Sequence, residues 1–270
     1  VRILAHLSDV HFGRIDYAVI DPLIKTIGGI EPDLVVVSGD LTQRARTQQF
    51  KEARAFLDAL PSPQIVVPGN HDVPLHNAFA RFLRPLHSYR RYITDDLQPS
   101  FIDEEIAVFG INTARSLTVK RGGITGEQLE SIREKLCALG EGVTKIVVSH
   151  HPLDLPERFD ERELVRRSRT VMSRLLTCGV DLFLAGHLHI SEIGQTASRY
   201  RIGGYAGLIV QAGTATSTRG RGETNSFNII RVERQEITVQ RFIWQATSQS
   251  FTVTDIDHFY RIPGGWSRKY

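Results

Sequence analysis

The chain has 270 residues, 41% of them hydrophobic, enough to bury a full core as one large domain or two small ones. No run of about 18 consecutive apolar residues occurs, which excludes a membrane-spanning helix. The formal charge of +3 is small and no long basic run appears, so nucleic acid is not an expected partner.

The basic residues are mainly arginine, clustered in Arg166-Arg167-x-Arg169 and Arg219-Gly220-Arg221. Such clusters suit either solvated surface or bidentate phosphate contacts. Cys137 and Cys178 are the only cysteines. Two cysteines make neither a disulfide framework nor a thiolate metal site, which suits a reducing compartment. The chain opens directly on a strand-like run with no leader ahead of it, so a cytoplasmic location is expected.

Arg2-Ile3-Leu4-Ala5-His6-Leu7 is the first strand, ending in Ser8-Asp9-Val10-His11. Val19, Ile20, Leu23, Ile24 and Ile27 recur at helical spacing until Gly28-Gly29. Leu34–Val37 is a continuous apolar run of the kind buried on both faces, and it ends in Ser38-Gly39-Asp40. A helix with Phe50, Ala53, Leu57 and Leu60 on one face follows, then the run Ile65–Pro68, which ends in Gly69-Asn70-His71-Asp72. Strand-helix-strand-helix-strand argues for parallel pairing and an α/β architecture.

Residues 74–98 break this rhythm. They are rich in Arg, His and aromatics, His76 and Tyr89 among them, and are expected to form a helical excursion over the sheet edge. Glu105–Gly110 resumes the sheet, and Thr125-x-x-Gln128 reads as a capping box for a helix carrying Leu129, Ile132 and Leu136. Lys145–Val148 leads into Ser149-His150-His151-Pro152, and Asp181–Ala185 into Gly186-His187-Leu188-His189. Residues 190–260 hold short β-branched and aromatic runs separated by turn residues, expected to form a mainly antiparallel second sheet. No repeat or linker divides the chain, so residues 1–270 read as a single domain.

Five apolar runs therefore end in polar groups: Asp9 with His11, Asp40, Asn70 with His71, His150 with His151, and His187 with His189. A buried histidine is ordinarily a satisfied core residue, but that does not place six of ten histidines just after strands. Ligands collect at the carboxyl ends of strands in α/β sheets. Imidazole, carboxylate and one amide without thiolate suit manganese, iron, cobalt or zinc, and the ligands are too many for one tetrahedral ion.

These five blocks, in this order, resemble the calcineurin-like metallophosphoesterases, and the resemblance runs from residue 3 to about 189. It implies a four-layer αββα sandwich with two mixed sheets and a dimetal site at the strand carboxyl ends. It also implies that Asp9, His11 and His189 hold one metal, that Asn70, His150 and His187 hold the other, and that Asp40 bridges them. His71 would stand by the leaving group as proton donor. Asp72 would either orient His71 or cap the turn. His151 would back His150 and, with Asn70 and His71, meet the substrate. Two such ions, manganese or iron first and zinc or cobalt next, would clamp the attacking and leaving oxygens and supply hydroxide at neutral pH.

Gly39-Asp40-Leu41-Thr42, Pro68–Asp72, His150-His151-Pro152 and Gly123-x-x-x-Gly126-x-Gln128-Leu129 look like the bacterial class III cyclic-nucleotide phosphodiesterases. No Gly follows Arg44, unlike the protein phosphatases, and His71 stands where lipid A-pathway diphosphatases carry Arg. The expected activity is hydrolysis of a small phosphodiester, foremost a 3′,5′ or 2′,3′ cyclic nucleotide. A nucleotide-sugar or nucleotide-lipid diphosphatase is the alternative, followed by a nuclease or a metal-binding regulatory module without turnover. Homo-oligomerisation stays open. Residues 213–227, with Thr214, Ser217, Arg219, Asn225 and Phe227, either line the cleft or form a hairpin loop.

Overall fold

A computed structural model describes residues 1–75, 78–116, 121–156, 159–196, 204–219 and 222–268. His76 of the expected excursion and Arg221 of the second arginine cluster lie outside these residues. In chain order the elements are β1 Arg2–Leu7, α1 Tyr17–Ile30, β2 Leu34–Val37, α2 Thr47–Asp58, β3 Gln64–Val66, α3 Ala78–Leu83 and α4 His87–Tyr92. Next come β4 Ser100–Ile102, β5 Ile106–Ile111, α5 Gly126–Ala138, β6 Thr144–Ser149, α6 Ser168–Leu176 and β7 Leu182–Ala185. The chain closes with β8 Glu192–Gln195, β9 Leu208–Gln211, β10 Ser226–Val232, β11 Glu236–Gln245, β12 Ser250–Ile262 and β13 Gly265–Arg268.

Among the described residues these strands make two mixed sheets, ordered β13-β12-β11-β10-β1-β2-β3 and β4-β5-β6-β7-β9-β8. Strands β1, β2 and β3 are parallel, and β10 pairs antiparallel with β1 at the seam. In the second sheet β5, β6, β7 and β9 are parallel. This corrects one expectation: strands of residues 190–260 form no sheet of their own. β8 and β9 complete the second sheet, whereas β10 to β13 complete the first. Alternating apolar residues fit either sheet equally well, so periodicity could not assign them.

The two-residue period of β1 and β2 sets the layers. Leu4, Leu34 and Val36 point between the sheets, where they meet Val108, Ile146, Val148, Leu182 and Leu184. Ala5, Leu7, Val35 and Val37 point outward onto Val19, Leu23, Phe50 and Leu57 of α1 and α2. On the far side, Phe109, Val147 and Phe183 pack on Leu129, Ile132, Val171 and Met172 of α5 and α6. The result is the expected αββα sandwich. The excursion is helical, and buried Tyr89 ties α4 to the sheet by donating its hydroxyl to the Val66 carbonyl at 3.0 Å. The capping box at Thr125 and Gln128 starts α5.

The two cysteines are also corrected. Cys137, near the end of α5, is disulfide-bonded to Cys178, just beyond α6. Side-by-side packing of these helices brings together residues 41 apart in sequence. The cysteine count therefore lends no support to a reducing compartment. No helix among the described residues is long and apolar enough to cross a membrane.

Candidate metal centre

Turns leaving β1, β2, β3, β6 and β7 converge on one rim and form two clusters of candidate ligand atoms. Asp9, His11, Asp40 and His189 make the first, and His150, His151 and His187 the second, with the ligand atoms of each within 4.8 Å of one another. In the first, His11 Nε2 and His189 Nε2 face each other at 3.1 Å, and His189 Nε2 lies 3.2 Å from Asp9 Oδ1. In the second, Asn70 Oδ1 lies 3.1 Å from both His150 Nε2 and His187 Nδ1. Asp40 joins them, with Oδ2 at 3.6 Å from His11 Nε2 and Oδ1 at 3.4 Å from His150 Nε2.

The local backbone is bent to achieve this. Asp9, His11, Asp40, His187 and His189 all adopt left-handed conformations, with φ between 52° and 77°. Each such non-glycine residue costs about 1–2 kcal/mol, and strain of this kind clusters at functional sites. Gly69 serves close approach instead: a Cβ there would overlap Asp40 Oδ1.

Hydrogen bonds behind the rings decide which nitrogen faces the centre. The Ser38 carbonyl, 2.8 Å from His150 Nδ1, can only accept, so Nδ1 carries the proton and Nε2 faces Asp40. The Arg219 carbonyl fixes His189 the same way through Nδ1 at 3.2 Å. Glu163 Oε2 sits 3.2 Å from His187 Nε2, leaving Nδ1 for Asn70. Such outer partners are what metal-binding histidines require.

Burial opposes charge on Asp40, but His150 and His11 hold its carboxyl well below the usual carboxylate range. His189 does the same for Asp9. Burial also works against protonated His150, yet Asp40 overcomes it and raises the imidazole to about 9. A cation taking Nε2 would displace that proton. Asp9 Oδ1 is fully buried without a hydrogen-bond partner. An orphaned carboxylate oxygen, opposed imidazole nitrogens and an all-nitrogen-and-oxygen donor set fit a pair of divalent transition ions.

The remaining expected residues fall elsewhere. Asp72 does not orient His71. Its carboxylate accepts from the backbone of Gly69, Leu41 and Thr42 at 2.9–3.2 Å, so it clamps the turn. The His71 ring, 4.9 Å from that of His11, is held by Gln43, whose carbonyl accepts from Nδ1 at 2.9 Å. Its Nε2 accepts from Arg219 at 3.2 Å. His151 is buried and bonded to Thr113 Oγ1 through Nδ1 at 2.8 Å, and its buried Nε2 has no hydrogen-bond partner. His6 hydrogen-bonds Ser38 in the core, and burial lowers it to about 3.

Residues 213–219 line the rim: Thr214 and Thr216 hydroxyls donate to the carbonyls of Asp9 and Val10 at 2.7 and 2.6 Å. Phe227 is instead a core residue of β10. Glu163 escaped sequence reading, being one acid in an Arg-rich stretch with no strand before it.

The family model for calcineurin-like phosphoesterases matches residues 3–191, the span that carries every rim turn named above except that of residues 213–219. The chain belongs to this family. It is 31% identical over 173 residues to the glycerophosphodiester phosphodiesterase GpdQ of Enterobacter lignolyticus, covering 57% of this chain and 58% of that protein. With the 3′,5′-cyclic adenosine monophosphate phosphodiesterase CpdA of Escherichia coli it shares 26% over 163 residues, or 59% and 55% of the two chains. The chain thus spans well under two thirds of the length of both relatives. A match of 259 residues at 27% identity covers 85% of it and 76% of a cAMP/cGMP dual specificity phosphodiesterase of Mycobacterium tuberculosis. Among solved structures, a dimetal phosphatase from Danio rerio superposes with a TM-score of 0.67 at 16% identity, covering 89% of this chain and 96% of that one. Purple acid phosphatase from yellow lupin gives 0.72 at 12% identity, with 96% and 54% covered. These two share the fold.

Proposed function

We propose that this phosphoesterase is a dinuclear metal-dependent phosphodiesterase acting on small phosphodiesters, with a cyclic nucleotide the leading candidate. The observation that carries this reading is Asp40, which turns one carboxylate oxygen to each cluster. One ion would be held by Asp9, His11, Asp40 and His189, and the other by Asp40, Asn70, His150 and His187. When bound, such ions supply Lewis-acid charge and lower the pKa of water from about 15.7 toward about 7. Manganese and iron lead, and zinc and cobalt fit the same donors.

The chain's own contribution lies at the rim. With Nδ1 committed to the Gln43 carbonyl, His71 can offer only Nε2 to a leaving oxygen. Protonating Nε2 means giving up the bond from Arg219, which frees that guanidinium for a phosphate oxygen. A diester leaves as a poor alkoxide, and acid catalysis of that step is worth about 10²–10⁴-fold. The relatives' names also favour diesters, being glycerophosphodiester and cyclic-nucleotide phosphodiesterases.

A panel of bis-aryl and mono-aryl phosphates, both cyclic AMP isomers and a glycerophosphodiester, assayed with Mn²⁺, tests the proposal. Turnover of the diesters, lost on chelation, is expected; activity confined to the monoester would overturn it. His71→Ala is expected to cost about 10²-fold on cyclic AMP and far less on an aryl ester with a good leaving group. Equal losses would remove His71 as the acid.

A further inference from the structure

Two cavities open on either side of the turn that leaves β5, and arginine walls both. One, of about 540 Å³, lies between that turn and α4, with Arg84, His87, Arg90, Asn112 and Arg115 on its walls. The other, of about 450 Å³, lies toward α5 and α6, with Arg115, Gly122, Gly123, Arg166 and Arg167. Arg115 and Ser116 belong to both. Among the described residues, no carboxylate lines either cavity, and Arg84, Arg90, Arg166 and Arg167 form no ion pair.

Arg115 is the decisive group. It is partly buried, and its guanidinium donates to Gln128 Oε1 and the Ala114 carbonyl, both neutral acceptors. Burial lowers its pKa. A desolvated cation with neutral partners and cationic neighbours is costly unless an anion joins it. Nor is Arg115 loosely placed. Gln128 is itself anchored, donating to the Asn112 carbonyl at 3.2 Å and accepting from Thr125 N at 3.1 Å.

The second cavity shares a wall with the metal centre. Ile111 pairs with Ser149, so Asn112-Thr113 lies beside His150-His151. Thr113 is bonded to His151, and a Cβ on Gly122 would meet the His151 ring. We infer that the two cavities form a second anion subsite for a phosphoryl or pyrophosphoryl group on the same substrate whose ester bond meets the metal centre. Guanidinium forks in two adjoining cavities joined at Arg115 suit a multiply charged, oxygen-rich group better than a singly charged diester. The inference rests on the phosphodiesterase reading, and within small phosphodiesters it favours one bearing an additional phosphate, which a simple cyclic mononucleotide lacks.

The test titrates metal-free protein with inorganic pyrophosphate by calorimetry, so that the metal centre does not bind the probe. Wild type is expected to bind, and Arg115→Ala and the surface variant Arg166→Ala to weaken binding by about tenfold or more. Arg115→Lys should recover part of the loss. Arg169→Ala removes the same charge from an exposed position on α6, outside both cavities, and should leave affinity unchanged. No binding by wild type, or equal weakening by Arg169→Ala and Arg166→Ala, overturns the subsite. With Mn²⁺-loaded protein, diesters matched except for one terminal phosphate should differ in KM for wild type and converge in Arg166→Ala. Equal KM values in wild type would overturn the claim that one substrate spans both sites. Turnover of a bis-aryl phosphate judges the phosphodiesterase reading separately, since its loss with pyrophosphate binding intact would fault that reading alone.

Discussion

Asp40 and Asp181 are both buried carboxylates at strand ends, on opposite edges of the sandwich, and the chain treats them differently. Asp181, just before β7, receives the Lys145 backbone N–H at 2.8 Å, the Tyr205 hydroxyl at 2.5 Å and the Trp266 indole N–H at 2.8 Å. Arg261 pairs with it at 3.0 Å. The chain itself thus meets the needs of Asp181. At the other edge Asp40 faces imidazoles of two clusters, and neighbouring Asp9 keeps a buried oxygen with no partner. A carboxylate satisfied from within holds the fold together; Asp9, with one oxygen unpartnered, and Asp40, which beyond the His71 backbone N–H at 2.8 Å faces imidazoles, are arranged for something from outside.

The sharpest way to break this contrast is to exchange the two losses. Asp40→Asn should lower bound metal and cut diester turnover by more than about a thousandfold, with metal content read by elemental analysis. Retained activity would remove Asp40 as the bridge. Asp181→Ala should do the reverse, costing about 3 kcal/mol of stability and several degrees of Tm, while turnover per folded molecule holds. Chelation of the wild type should lower its Tm through the loss of about 2.7 kcal/mol if metal stood at a hundred times its Kd. Asp40→Asn should respond far less to chelator. Smallest is Glu163→Gln, expected to weaken metal binding about 10–100-fold with little change in Tm, because it touches only the far nitrogen of His187.

The satisfied edge was also the harder one to foresee. Asp9, His11, Asp40, Asn70, His150, His187 and His189 stand out because each comes within four residues of the end of its strand. Asp181 draws on Lys145, Tyr205, Arg261 and Trp266, which are contiguous with nothing that marks them. The same blindness hid Glu163, and it hid the bond between Cys137 and Cys178, which depends on how α5 lies against α6. Asp72 shows the converse. Its place beside His71 suggested partnership, but the turn directs its carboxylate back onto the backbone of Leu41 and Thr42. The parallel α/β core was legible because continuous apolar runs demand cover on both faces, whereas the four layers came only from the resemblance to the metallophosphoesterases. The sharing of late strands between two sheets was not legible.

Strand β1 has a consequence for the order of events during synthesis. It lies between β2, made soon after it, and β10, which ends at Val232. By the time His189 has left the ribosome, every candidate ligand exists, yet β1 still exposes an open edge, and neither Thr214 nor the Arg219 carbonyl is there to steady Asp9 and His189. The nascent chain would carry the complete set of metal-seeking side chains on an unfinished sheet, with an unpaired strand as its most adhesive surface.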